Sequence, residues 1–133
     1  MLIPTISFPG TCNEAIAYYQ KALNAEVKEI AHFRDAPKDS GMDESLPPDF
    51  VMHSELIIFG VTVSMTDGAE LRPNGDNYSF GICLDSAEEV NSVFSKLADG
   101  GKIIEALAPQ FWASLYGLVE DRFGVTWQVL TNN

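Results

Sequence analysis

His53 and Glu55 are separated by one residue within the apolar-rich segment from Phe50 to Phe59. In an extended strand, residues i and i+2 project from the same face, so an imidazole and a carboxylate stand side by side. Such a pair suits proton transfer, with His53 as the general base and Glu55 as second choice. It also supplies two ligands toward a divalent metal, short of a complete shell. The other histidine, His32, falls on a different predicted strand. His53 equally suits a hydrogen-bonding position in a binding cleft, with Glu55 meeting solvent.

Other reactive groups are sparse. Cys12 precedes a predicted helix, where a thiol pKa can fall, but no base stands beside it in the sequence. Cys83 sits in an apolar strand segment. With no framework spacing, both are expected to be reduced thiols in a cytoplasmic protein. Asp67 and Asp121 each stand at a turn and are expected to bond local backbone amides. No Ser-His-Asp spacing, nucleophile elbow or phosphate-binding glycine loop occurs.

The elements that must position these residues repeat. Phe59-Gly60-Val61-Thr62-Val63 returns as Phe123-Gly124-Val125-Thr126-Trp127, and EAIAYYQKAL from Glu14 returns as EEVNSVFSKL from Glu88. Such self-similarity marks two modules built on one plan. The first reads as strand Leu2–Phe8, a helix to Leu23 with Asn13 as its cap, then strands Ala25–Arg34, Phe50–Phe59 and Val61–Thr66. The second reads as strand Tyr78–Leu84, helix Ala87–Ala98, then strands Lys102–Leu107, Trp112–Glu120 and Val125–Leu130. Residues 36–49 form a polar loop, beside which Phe33 is a candidate lid residue.

The sum is a single α+β domain, 1–133, of two βαβββ modules: 1–67, a linker 68–77, and 78–133. Each module, at about 60 residues, would be marginal alone. Two helices cover only one face of each sheet, so the other faces are expected to line a cleft. Strand alternation puts Val61, Val63, Met65, Phe80, Ile82, Trp127 and Val129 toward the helices. Thr62, Ser64, Thr66, Ser79 and Gln128 then line the cleft.

Nineteen acidic against 8 basic residues give a formal charge of −11, which repels phosphate backbones and anionic lipid. Nucleic acid and membrane partners are therefore not expected. The acidic group Asp35, Asp39, Asp43, Glu44 and Asp49 reads as a solvated loop rather than a cation site. No stretch approaches membrane-spanning length.

Several segments carry a family resemblance. They are Phe8-Pro9-Gly10-Thr11-Cys12 with Ala15 to Tyr19; His53-Ser54-Glu55-Leu56 with Gly60 and Ser64-Met65-Thr66-Asp67; Phe111-Trp112; and Tyr116 through Trp127. In this order and spacing the chain resembles the vicinal-oxygen-chelate superfamily of glyoxalases, bleomycin-resistance proteins and dioxygenases, and within it the PhnB-like group. The group's quinone-methyltransferase description finds no echo in a glycine-rich loop after the first strand. The resemblance implies a homodimer.

It also implies four metal-ligand positions, one on the first and one on the last strand of each module. They fall at Thr5, Ser64, Ser79 and Gln128, with Pro4 the alternative to Thr5. Both last-strand positions lie four residues after the repeated glycine. Three hydroxyls and an amide are poor ligands for a first-row divalent ion, so no metal and no cofactor is expected there. The resemblance further implies that Gln110, Phe111, Trp112 and Tyr116 border the pocket; closing the end of the second module is the bland alternative.

The leading expectation is a small-organic-molecule-binding protein without the usual metal, using Thr5, His53, Ser64, Ser79, Trp112, Tyr116 and Gln128. One alternative is a lyase, isomerase or dioxygenase-type enzyme with a displaced metal site near His53. Another is an interaction protein with a vestigial cleft.

Overall fold

The computed structural model describes residues 1–41, 45–68 and 77–133. Most of the expected linker 68–77, and Asp43 and Glu44 of the acidic loop, lie outside the described residues. The chain forms two compact units, Met1–Arg72 and Pro73–Asn133.

The first unit contains β1 (Thr5–Phe8), α1 (Cys12–Leu23), β2 (Glu26–His32), β3 (Val51–Ile58) and β4 (Val61–Asp67). A single 3-10 turn, Phe33–Asp35, follows β2. The sheet order is β1-β4-β3-β2. β1 runs parallel to β4, and the other pairs are antiparallel. The second unit contains β5 (Phe80–Cys83), α2 (Ala87–Ala98), β6 (Lys102–Gln110), β7 (Ala113–Glu120) and β8 (Thr126–Thr131). Its order is β5-β8-β7-β6, with the same pattern of pair directions. The expected α+β class and the βαβββ plan of each unit are observed.

Apolar periodicity builds the helices. α1 buries Cys12, Ala15, Ile16, Tyr19, Ala22 and Leu23, and α2 buries Val90, Phe94 and Leu97. Both sets recur every three or four residues and form one stripe per helix. Ser86 caps α2: its hydroxyl accepts the Glu89 N–H and donates to the Glu89 carboxylate, each at 3.2 Å. Gly100, at φ +75°, follows the last turn in the left-handed region that glycine enters freely.

α1 starts differently from expectation. It begins at Cys12 behind Thr11, which makes no side-chain cap bond, so Asn13 is not the cap. The Asn13 amide donates to the Asp49 carbonyl at 2.8 Å, and its oxygen lies 2.9 Å from His32 Nε2. The helix start is held instead by Asp67, from the end of β4. Its Oδ1 accepts the N–H of Gly10 and of Cys12, each at 3.0 Å, and its Oδ2 accepts the Val51 N–H at 2.9 Å. The expected local role of Asp67 is therefore corrected to a long-range one. Asp121 does bond locally, accepting from Phe123 N and Val125 N, and also takes the Trp127 indole N–H at 2.9 Å.

Alternation largely follows the expected faces. Val63, Met65, Ile82, Trp127 and Val129 are buried. Phe80 is only half-buried, and Val61 is 49% exposed because it sits beside the hairpin turn at the strand end. There Ile58 pairs with Val61 across two residues, Phe59 and Gly60, both at positive φ. This is the type I′ geometry whose twist matches the strands, and Gly60 fits it without a Cβ clash. The second copy of the motif builds another turn: Glu120 pairs with Thr126 across a five-residue loop filled by the Asp121 carboxylate. β6 continues through Pro109, where a connection was expected. It is an edge strand, so the missing N–H interrupts no interior ladder.

Candidate functional site

Strand register sets out the site of the first unit. Thr5 on β1 pairs with Ser64 on β4, Ser64 pairs with Glu55 on β3, and Glu55 pairs with Glu29 on β2. Directly paired residues share a face, so a row Thr5–Ser64–Glu55–Glu29 crosses the sheet. It lies opposite the face of Val63 and Leu56, which are buried in the core. His53 stands two residues before Glu55 on the same face, and its Nε2 lies 3.0 Å from Glu29 Oε1. Glu29, His53 and Glu55 thereby bring three ligand atoms within 4.8 Å of one another.

Glu29 was not among the expected site residues. A bulge between Val27 and Glu29 shifts the β2 register, and only the pairing with β3 reveals its partner. His32 pairs beside Val51 and bonds Asn13 instead. The structure thus brings Thr5, Ser64, His53 and Glu55 onto one face and leaves His32 off it.

In the second unit the corresponding row runs Gly81–Gln128–Leu118–Glu105. Ser79 precedes Gly81 by two residues, and the Gln128 amide donates to its hydroxyl at 2.9 Å. Tyr116 pairs with Leu130 and lies on the Gln128 face; it is buried against Trp112, ring centroids 5.7 Å apart. Burial pushes the Tyr116 hydroxyl pKa up, and Glu105 adds in the same direction. Trp112 is half exposed, and Phe111, at 98% exposed, meets its edge at 4.8 Å. Exposed aromatics of this kind can stack a flat ligand.

The residues at the superfamily's metal positions do not fit a divalent ion. Ser79 and Gln128 are engaged with each other. The Thr5 hydroxyl contacts the Ile3 carbonyl at 3.4 Å. Register pairs Gln128 with Gly81, which has no side chain to offer. None of these groups carries a charge or a strong donor.

Cys12 does not fit a nucleophile's role. Cys12 is fully buried, and burial, with Asp67 adding to it, pushes its thiol up to about 12. The thiolate that a nucleophile requires is therefore scarce at neutral pH. Cys83 is free and exposed on β5. A surface pocket of about 480 Å³ lies in the connection after β2, with Phe33, Arg34, Pro37 and Leu46 in its lining. Phe33, the candidate lid residue, lines it, and the candidate binding residues named above do not. Among the described residues no helix is long and apolar enough to cross a membrane.

A family model described as 3-demethylubiquinone-9 3-methyltransferase matches residues 1–130. Protein YjdN of Escherichia coli (strain K12) is 38% identical over 141 residues, covering 96% of this chain and 92% of that protein. The structure of protein PA1353 from Pseudomonas aeruginosa superposes with a TM-score of 0.85 at 28% identity, covering 99% of this chain and 97% of that one. The PhnB protein from Bacillus cereus gives a TM-score of 0.80 at 22% identity, covering 98% of each chain, a likeness of fold.

Proposed function

The chain belongs to the 3-demethylubiquinone-9 3-methyltransferase family, the PhnB-like group of the vicinal-oxygen-chelate superfamily, and we propose that it binds a small, flat, oxygen-bearing organic molecule. Within the first unit the proposed binding groups are Thr5, Ser64 and His53; within the second they are Ser79, Gln128, Trp112 and Tyr116. No divalent metal sits at Thr5, Ser64, Ser79 and Gln128 in this reading. The protein acts as a homodimer.

The observation that carries the proposal is the Ser79–Gln128 hydrogen bond on a face that also presents Tyr116 and Trp112. A polar pair beside aromatic rings orients an oxygen-bearing ring by hydrogen bonds and stacking. Methyl transfer, named in the family description, has less support. Each sheet is mixed and four-stranded, unlike the parallel doubly wound sheet with a glycine-rich first turn that holds dinucleotides.

The test is calorimetric titration with a panel of flat oxygenated rings, including a short-chain quinone. A saturable ligand should bind the parent protein and lose about tenfold or more in affinity in Q128A and W112A, the scale of one lost anchor contact. Binding that both variants retain would place the ligand elsewhere. Absence of binding across the panel would favour an interaction protein with a vestigial cleft.

A further inference from the structure

We infer that Glu29, His53 and Glu55 form a divalent-cation site on the first sheet, separate from the four superfamily positions. Their ligand atoms lie within 4.8 Å of one another. They come from adjacent antiparallel strands, Glu29 from β2 and the other two from β3. The backbone that carries them is fixed by sheet pairing, and the carboxylate arms alone need to adjust. Ligands about 2.0–2.1 Å from a tetrahedral ion stand about 3.3 Å apart, a closure within reach of glutamate rotamers. His53 Nε2 already stands 3.0 Å from Glu29 Oε1.

Electrostatics gives a second, independent argument. Glu29 and Glu55 are direct cross-strand partners. Like charges in that position destabilise a sheet. Among the described residues neither carboxylate pairs with a lysine or arginine; Lys28, next in sequence to Glu29, bonds Glu26. The chain as a whole carries a formal charge of −11. A protonated imidazole would supply one positive charge to two carboxylates, whereas a divalent cation offsets both.

The donor set selects the ion. One imidazole nitrogen with two carboxylate oxygens suits borderline first-row ions of the zinc and manganese class. The three side chains are exposed or half-buried, so water completes the shell. The arrangement is particular to the first unit. By register, Leu118 stands where Glu55 does and Tyr116 where His53 does, leaving Glu105 alone of the three. Ser64 is the β4 partner of Glu55, so the open coordination positions border the row assigned above to the organic ligand. The cation site does not depend on that assignment.

The test is calorimetric titration of the chelator-treated full chain with Zn²⁺ and with Mn²⁺, and no organic ligand present. One ion should bind per chain. E29Q and E55Q should each weaken it by about tenfold or more, the minimum expected when a ligating group is lost. Q128A should leave ion binding unchanged, which separates this site from the organic-ligand proposal. Absence of one-per-chain binding up to about 1 mM ion, or binding that E29Q and E55Q leave unweakened, overturns the inference.

Discussion

Asp67 Oδ1 accepts the Cys12 N–H at 3.0 Å, so a carboxylate at the end of β4 fixes the first turn of α1. The same side chain also takes the N–H groups of Gly10 and Val51, and it is only 7% exposed. One residue thus ties together the end of β1, the start of α1 and the start of β3. The negative charge faces the positive end of the helix, which adds to the hydrogen bonds.

Replacing Asp67 by Asn removes the charge and sets an amide NH2 against the backbone N–H donors at one of the two former oxygen positions. Charge-assisted bonds contribute about 1.5–3 kcal/mol each, and buried unmet donors cost a similar amount. D67N is expected to lower stability by about 3 kcal/mol in urea denaturation. An unchanged midpoint would show that the carboxylate is not the cap.

The two thiols should separate cleanly in reactivity. Cys83 is exposed, while Cys12 is buried with its thiol pushed up to about 12. A thiol reagent at mild alkaline pH should label one cysteine in the native protein and both in denaturant. Native labelling abolished by C83S confirms the assignment; native labelling that persists in C83S contradicts it.

The same thiol sets a pH dependence. Cys12 has its pKa raised from 9.0 unfolded to about 12 folded. The unfolded chain therefore releases its proton first as pH rises. Stability from this group is complete below pH 9 and is lost as pH climbs toward 12. The slope is one proton's worth, about 1.4 kcal/mol per pH unit. Tyr116 acts in the same direction, so C12A should flatten the alkaline decline only in part. An identical pH profile in C12A would refute the assignment.

The opposed pair Glu29 and Glu55 predicts an unusual stabilising substitution. In chelator-treated protein, E55Q removes the repulsion and should raise stability by about 0.2–1 kcal/mol. Added Zn²⁺ should reverse the ranking, because the parent then gains binding free energy that the variant lacks. Thermal melts with and without the ion check both halves. A less stable E55Q without ion would mean that the pair is not repulsive.

Much of this was legible in the chain and some was not. α2 spans Ala87–Ala98 as read, because apolar spacing, the Ser86 cap and Gly100 agree. The alternating faces of β4, β5 and β8 followed from a period of two. Glu29 could not be read, since its importance arises from a bulge and from its pairing with another strand. The long-range role of Asp67 is hidden for a related reason: its partners Gly10 and Cys12 are more than fifty residues away. The motif shared by Phe59 and Phe123 hides two different turns, because Asp121 fills the second loop and nothing equivalent fills the first. Local pattern names the elements, and cross-strand register decides which side chains meet.

The most direct test of the central proposal is native mass spectrometry of the untagged protein, purified without chelator and then incubated with the ring panel. The expected result is a homodimer with an organic adduct whose occupancy falls in Q128A and W112A but survives in E55Q. A parent protein that carries no organic adduct, before or after incubation, would contradict it.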